Sequence, residues 1–339
     1  MFAFKDKENK KIGKYKKLVL AGGGLKGLAY VGAISALRRY KILDNIDEIV
    51  GCSIGAIFAL LINLGYTDYE LHDFLLHFQY KEFKDIDFFK IVTEWGVESG
   101  QKIELYLIKL IKDKTGLEDP TFIELYNKTR IGLIINAVAL DSYMLYYFNH
   151  ISSPDIKVVK AIRASIAVPG LFTPVRLNKH LFVDGGLLNN FPIDYFKAKK
   201  IPANIILGIC FNSNTEPPGY SNITSINTYL TAIIGCILDR IDKTGVNKKK
   251  LLYNHDFPEH QPKVITIETG NIGTLQSTLD RTMRLFLYHN GEQAVLNSFK
   301  DMKNSNYSNK ITYGRVNFSK ITYGKATSKT KNNLRRNSI

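Results

Sequence analysis

Twice within its first 65 residues the chain runs from a short apolar stretch through a glycine-bearing turn into an apolar helical stretch, and this repeated junction constrains the fold most. Residues 17–21 read as a strand. Residues 27–40 read as a helix, with Leu28, Val31, Ile34 and Leu37 three apart on one face. Residues 48–52 read as a second strand, and residues 54–64 as a nearly all-apolar helix of the kind that is buried on every side. Parallel strands need a crossover, usually helical, so a repeated strand–turn–helix unit predicts a largely parallel sheet. The alternation continues, with strands expected at 132–140, 145–149, 181–184, 204–211 and 264–268, and helices at 68–78, 100–113, 154–165, 225–241 and 274–300. The architecture that follows is a three-layer α/β sandwich around a central, mostly parallel sheet.

Charge divides the chain unevenly. Of the net +15, about +5 sits in residues 1–17, where seven lysines face only Asp6 and Glu8. About +8 sits in residues 301–339, where nine Lys and Arg face only Asp301. The middle is nearly neutral. The expected organisation is a basic tail over 1–16, one catalytic-size domain over 17–300 and a second basic tail over 301–339. That last segment is rich in Asn, Ser and Lys, and it repeats Lys-Ile-Thr-Tyr-Gly at Lys310 and Lys320. Basic tails on a neutral body suit loose attraction to anionic surfaces, whether membrane or nucleic acid, better than a dedicated nucleic-acid groove, with peripheral binding to anionic membranes expected and tails that only solubilise as the alternative. With 45% apolar residues the chain can bury a large core, and its three scattered cysteines (Cys52, Cys210, Cys236) make neither a disulfide framework nor a metal site. No signal peptide or membrane-spanning stretch is expected, so the predicted location is cytoplasmic, at most peripheral to a membrane.

The first glycine turn, Gly22, Gly23, Gly24, Leu25, Lys26 and Gly27, brings backbone N–H groups close to a bound anion at a helix start. It also satisfies GxGxxG, and Asp47 lies 20 residues past Gly27, which keeps a dinucleotide-binding oxidoreductase in play. The ribose-binding acid of that fold, however, ends the second strand, whereas Asp47 precedes it. What ends the second strand is Gly51, Cys52, Ser53, Ile54 and Gly55, a GxSxG nucleophile elbow on a strand-to-helix turn. Strand alternation sends Cys52 to the face opposite Ser53, into a packing role. For the base, His150, His180, His255, His260 and His289 have unremarkable surroundings, and His72 and His77 follow the elbow too closely. Asp184 ends a short apolar strand and precedes Gly185 and Gly186, which would leave open space beside a carboxylate at the strand end.

Taken in order, the glycine turn, the GxSxG and the Asp184-Gly185-Gly186 triplet resemble the motifs of the patatin-like phospholipase family. The stretch from Ala164 to Pro174 is similar to that family's approach to its catalytic Asp. The resemblance covers about residues 17–200. It implies a patatin-like fold and a Ser53–Asp184 dyad without histidine. It also implies an acyl-enzyme, and an oxyanion hole from amides of Gly23, Gly24 or Leu25, with no metal and no cofactor. The substrate would be a phospholipid or another acyl lipid. Lys26 would remain at the helix start, as a surface or a catalytic lysine. The alternative is a patatin-like fold that binds a lipid or a partner protein without catalysis, against which the intact Ser53 and Asp184 count.

Overall fold

The computed structural model describes residues 14–77, 87, 89–214, 220–225, 228–229, 232–237, 261–273, 276 and 278–300. Ten strands lie among them: β1 (Lys17–Leu20), β2 (Glu48–Gly51), β3 (Gly96–Glu98), β4 (Gly132–Ala139), β5 (Met144–Phe148), β6 (Gly170–Phe172), β7 (Val175–Leu177), β8 (His180–Asp184), β9 (Ile206–Asn212) and β10 (Lys263–Glu268). The helices of eight or more residues are α1 (Ala29–Arg39), α2 (Ile54–Asn63), α3 (Asp68–His77), α4 (Gln101–Thr115), α5 (Phe122–Thr129), α6 (Val158–Ser165) and α7 (Arg281–Ser298).

Eight strands form one mixed sheet in the order β10-β9-β1-β2-β4-β8-β7, with β5 also paired to β4. The run from β10 to β4 is parallel, and β5, β7 and β8 are antiparallel to their neighbours. Successive residues of a strand point to opposite faces, and both faces here are buried. Leu18 and Leu20 join a large core with α1, α2, α6 and α7. Val19, Val50, Ile134 and Ile206 join a smaller one closed by Ile193, Tyr195 and Phe196. The sheet is thus the middle layer, flanked by helices, as the sequence pattern requires.

The register of β4 sets up everything that follows. β5 pairs with Ile135–Ala139 of β4, β2 with Gly132–Ile135, and β8 with Ala137–Ala139. A strand has two edges. Since β5 shares Ile135 with β2 and Ala137 with β8, β2 and β8 must both lie on the other edge, one after the other. They run in opposite directions, so their C-terminal ends meet head to head.

Two helices cross at unusually short range. A Cβ on Gly32 of α1 would strike the Tyr288 carbonyl of α7, and a Cβ on Gly291 of α7 would strike the Ala29 carbonyl of α1. Paired glycines let the backbones touch.

Several boundaries differ from expectation for local reasons. The helix expected from residue 27 is preceded by a 3₁₀ turn over Gly24–Leu28 and becomes α-helical at Ala29. The helix expected from Pro154 starts at Val158, because the Pro154 and Ile156 carbonyls accept from the amides of Ile123 and Phe122 at the start of α5. The last helix begins at Arg281, where the Asp280 side chain caps the Met283 amide at 2.7 Å. Helix α5 was not expected, although its Thr121–Glu124 capping box is written in the sequence. Nor was the small parallel pair β3–β6. The helix expected at 225–241 is described only at 228–229 and 232–237, which are helical. Residues 1–13 and 301–339, with the Lys310 and Lys320 repeat, and His255 and His260 lie outside the described residues, whereas the end of the expected N-terminal tail is docked: Tyr15 is buried and the Lys16 amide donates to Ile205 O at 2.9 Å. Among those residues no helix is long and apolar enough to cross a membrane.

Candidate active site

The parallel register of β1 and β2 pairs Leu20 with Gly51, so two residues further on Gly22 of the glycine turn falls opposite Ser53. A Cβ on Gly22 would lie 3.1 Å from the Ser53 Cβ. The elbow itself is strained, as Ser53 has φ 52° and ψ −125°. For a residue with a Cβ that left-handed conformation costs of order 1–3 kcal/mol and persists only where the surroundings impose it. Four bonds impose it here. Cys52 N donates to Leu20 O at 3.1 Å, Gly55 N to Cys52 O at 2.7 Å and Ala56 N to Ser53 O at 2.8 Å. The Ser53 amide donates to the buried Ser165 Oγ at 2.9 Å. A Cβ on Gly51 would meet Ala56 Cα at 2.6 Å, and one on Gly55 would meet the Ala21 carbonyl at 2.7 Å, so the turn closes only with glycine at both places. Ile54 begins α2, packs against Gly27 and presents the helix N-terminus to Ser53.

Asp184 arrives from the opposite direction. It pairs with Ala137, two residues beyond the Ile135 that pairs with Gly51, which places the two strand ends roughly 7 Å apart along β4. The carboxyl is 3% exposed. It accepts the Gly186 amide at 2.7 Å, while its own amide donates to Ala167 O at 2.9 Å and the Ser53 side chain lies beside it. Burial pushes its pKa up from the usual 3.8 to about 7, and the Gly186 amide and the Ser53 side chain pull it back only in part.

The glycines after Asp184 do not leave open space, contrary to expectation. A Cβ on Gly185 would sit 2.6 Å from Asn136 Oδ1, and one on Gly186 would sit 2.8 Å from Asn190 Oδ1 and 2.9 Å from Asp184 Oδ1. They are required by crowding. The floor of the site is a polar group the sequence reading missed: Asn136 Nδ2 donates to Asn189 O at 2.9 Å, and Asn189 Nδ2 donates to Asp194 at 2.7 Å. The signal available was Asn189-Asn190-Phe191-Pro192 shortly after Asp184.

In the glycine turn, Gly22 N donates to Asn190 O and Lys26 N to Gly23 O, so these two amides are occupied. The remaining motif donors are those of Gly23, Gly24 and Leu25. Gly24 has φ 56°, in the region that favours glycine. Lys26 is not on the surface. The 3₁₀ turn rolls it inward to 2% exposure, with its Cε beside Gly23. Cys52 is fully buried, with its Sγ 3.9 Å from Asn190 Oδ1.

Of the five described histidines, His289 lies within α7 and the other four have the following partners. His180 Nδ1 contacts Asp141 at 2.6 Å and its Nε2 the Tyr146 hydroxyl at 3.1 Å. It sits four residues before Asp184 on β8, roughly 13 Å away along the strand. His150 stacks on Tyr126 at 3.8 Å, His72 packs edge-on against Tyr288, and His77 contacts Asp73 on its own helix. Among the described residues no three His, Cys, Asp or Glu side chains converge as a metal site would need.

A serine on a strained strand-to-helix turn of an α/β sandwich is the arrangement of hydrolases that use a serine nucleophile. Residues 18–197 match the model of the patatin-like phospholipase family, and the chain belongs to that family. Over 185 residues it is 32% identical to a protein of Invertebrate iridescent virus 6 called probable lipid hydrolase 463L, spanning 53% of this chain and 62% of that protein. An uncharacterised protein of Acanthamoeba polyphaga mimivirus, R571, is 27% identical over 83% of this chain and 92% of its own length. In fold, the crystal structure of VipD from Legionella pneumophila superposes with a TM-score of 0.53 at 19% identity, covering 85% of this chain and 67% of that one.

Proposed function

We propose that the protein is a lipid acyl hydrolase that cleaves ester-linked fatty acids with Ser53 as nucleophile and Asp184 as general base. The observation that carries this reading is the buried Asp184 carboxyl beside the Ser53 side chain, where the ends of β2 and β8 meet and burial raises its pKa to about 7. An ordinary carboxylate is a poor base towards a hydroxyl. One tuned near neutrality is better matched, and no imidazole is needed to bridge the two. Ser53 Oγ adds to the ester carbonyl as its proton passes to Asp184. The tetrahedral oxyanion is met by amides of Gly23, Gly24 and Leu25, with the α2 N-terminus adding partial positive charge. Collapse expels the alcohol, which takes the proton back from Asp184. Water, deprotonated by Asp184, then releases the fatty acid from the acyl-enzyme.

Phospholipids and other acyl lipids are the proposed substrates, in keeping with family membership and with the lipid hydrolase name of the iridovirus relative. The basic tails would add peripheral attraction to anionic membranes. The test is a fluorophosphonate probe on the full-length protein combined with release of fatty acid from mixed phospholipid vesicles. Wild type is expected to label at Ser53 and to turn over, Ser53→Ala to do neither, and His180→Ala to stay within about tenfold of wild type, since a lost general base costs roughly 10²- to 10⁴-fold. Folded wild-type protein that neither labels nor hydrolyses would refute the reading.

A further inference from the structure

We infer that Asn190 is a positioning residue that clamps the glycine turn to the serine elbow and the Asp184 turn, and so keeps the oxyanion donors aimed. This rests on the reading of Ser53 and Asp184 as nucleophile and base.

Gly22, Gly23 and Gly24 are three glycines in a row. Such a segment has more conformational freedom than any other backbone, so the chain itself does not fix where its amides point. Fixation must come from bonds to something rigid. Asn190 supplies it at both ends of Gly22: the Gly22 amide donates to the Asn190 carbonyl at 2.9 Å, and Asn190 Nδ2 donates to the Gly22 carbonyl at 3.2 Å. The second bond uses the carbonyl of the peptide whose N–H belongs to Gly23, the first of the three candidate donors. Holding that carbonyl fixes the plane of the peptide and therefore the direction of the Gly23 N–H.

The same carboxamide reaches the other two segments. Its Oδ1 lies 3.9 Å from Sγ of Cys52, the residue before the nucleophile. The position a Cβ would take on Gly186 is 2.8 Å from Asn190 Oδ1 and 2.9 Å from Asp184 Oδ1, which puts the carboxamide and the carboxyl against the same glycine. A Cβ on Gly22 would run into Asn190 Oδ1 as well as coming within 3.1 Å of Ser53 Cβ. One side chain thus meets all three motifs. That is the position of a group that acts through others. Asn190 follows the four-residue helix Gly186–Asn189, whose Asn189 carbonyl is held by Asn136 of β4, so the clamp is anchored in the central sheet.

Asn190→Ala and Asn190→Ser both remove the Nδ2 bond and keep the main-chain one, so either suffices if the other does not fold. Each is compared with wild type for melting temperature, kcat and KM on a soluble acyl ester, and affinity for a fatty acyl trifluoromethyl ketone, which adds to the serine as a tetrahedral anion. The expected result is a kcat lower by about 10- to 100-fold, the range for lost outer-sphere partners and small misalignments. KM should stay within about twofold, and ketone affinity should fall by the same factor as kcat/KM. A folded variant with kcat within about twofold of wild type would overturn the inference. So would a loss of kcat with ketone affinity unchanged, which would mark general loosening. Wild-type protein that forms no ketone or fluorophosphonate adduct at Ser53 would instead overturn the serine–aspartate reading, and the inference with it.

Discussion

Replacing Asp184 by Asn should make the protein inactive and, at alkaline pH, more stable. In the native state Asp184 keeps its proton up to about pH 7, whereas in the unfolded chain it loses it near 3.8. Between those values the native state binds more protons, so its stability falls as pH rises through that window. The full displacement corresponds to roughly 4 kcal/mol, nearly all of it expressed by pH 8 and less than about 1 kcal/mol at pH 4. Asparagine has the same shape, can still accept from the Gly186 amide through its oxygen, and has no proton to lose. Its stabilising effect relative to wild type should therefore grow by about 3 kcal/mol from pH 4 to pH 8. Unfolding entropies of about 2 cal/mol/K per residue make that a widening melting-temperature gap of roughly 5 °C. Thermal unfolding of both proteins at half-unit pH steps measures it. Hydrolysis on the same samples should be at least about 10²-fold lower for the variant, and wild-type kcat/KM should rise with pH and level off above about 7. A melting-temperature gap that stays constant or shrinks towards alkaline pH would show that Asp184 is not held with a raised pKa.

Two further outcomes bear on other parts of the molecule. Gly291→Ala should separate the backbones of α1 and α7 and cost about 1–3 kcal/mol, seen as a lower urea midpoint, while fluorophosphonate still labels Ser53 in the folded fraction. Neutralising the nine Lys and Arg of residues 301–339 by Gln should weaken binding to anionic vesicles at low salt and flatten its salt dependence, because unscreened attraction reaches only about 10 Å at 0.1 M; equal binding by both proteins in a flotation assay would remove that tail from docking.

Elements whose pattern is carried by contiguous residues were legible in the sequence. β1, β2, β4, β8 and the apolar α2 are short apolar runs bounded by glycine, and their ends lie within two residues of expectation. The shape of the site was legible for the same reason, because its three motifs are contiguous. What escaped were features decided by pairing at a distance. β3 and β6 are three residues each and exist only because they pair with each other, and α6 starts late because α5 takes its first carbonyls. The burial of Lys26 depends on a 3₁₀ turn that hydropathy does not report. Asn136 and Asn190 gave no signal alone, since an asparagine's role lies in which backbone groups it meets. The open space expected beside Asp184 is absent, because Asn136 and Asn190 crowd Gly185 and Gly186 from segments distant in the sequence or beyond the triplet.

The head-to-head meeting of β2 and β8 along one edge of β4 also has a consequence in time. Ser53 and Asp184 are about 130 residues apart in the chain, and each reaches the other only by lying against the same strand. A chain emerging from the ribosome carries its elbow early, but lacks Asp184, the proposed base, until β8 has been made and added to the sheet beside β4. On the proposed reading, a chain cut before β8 would keep the strained elbow yet release no fatty acid, which separates having the nucleophile from being able to use it.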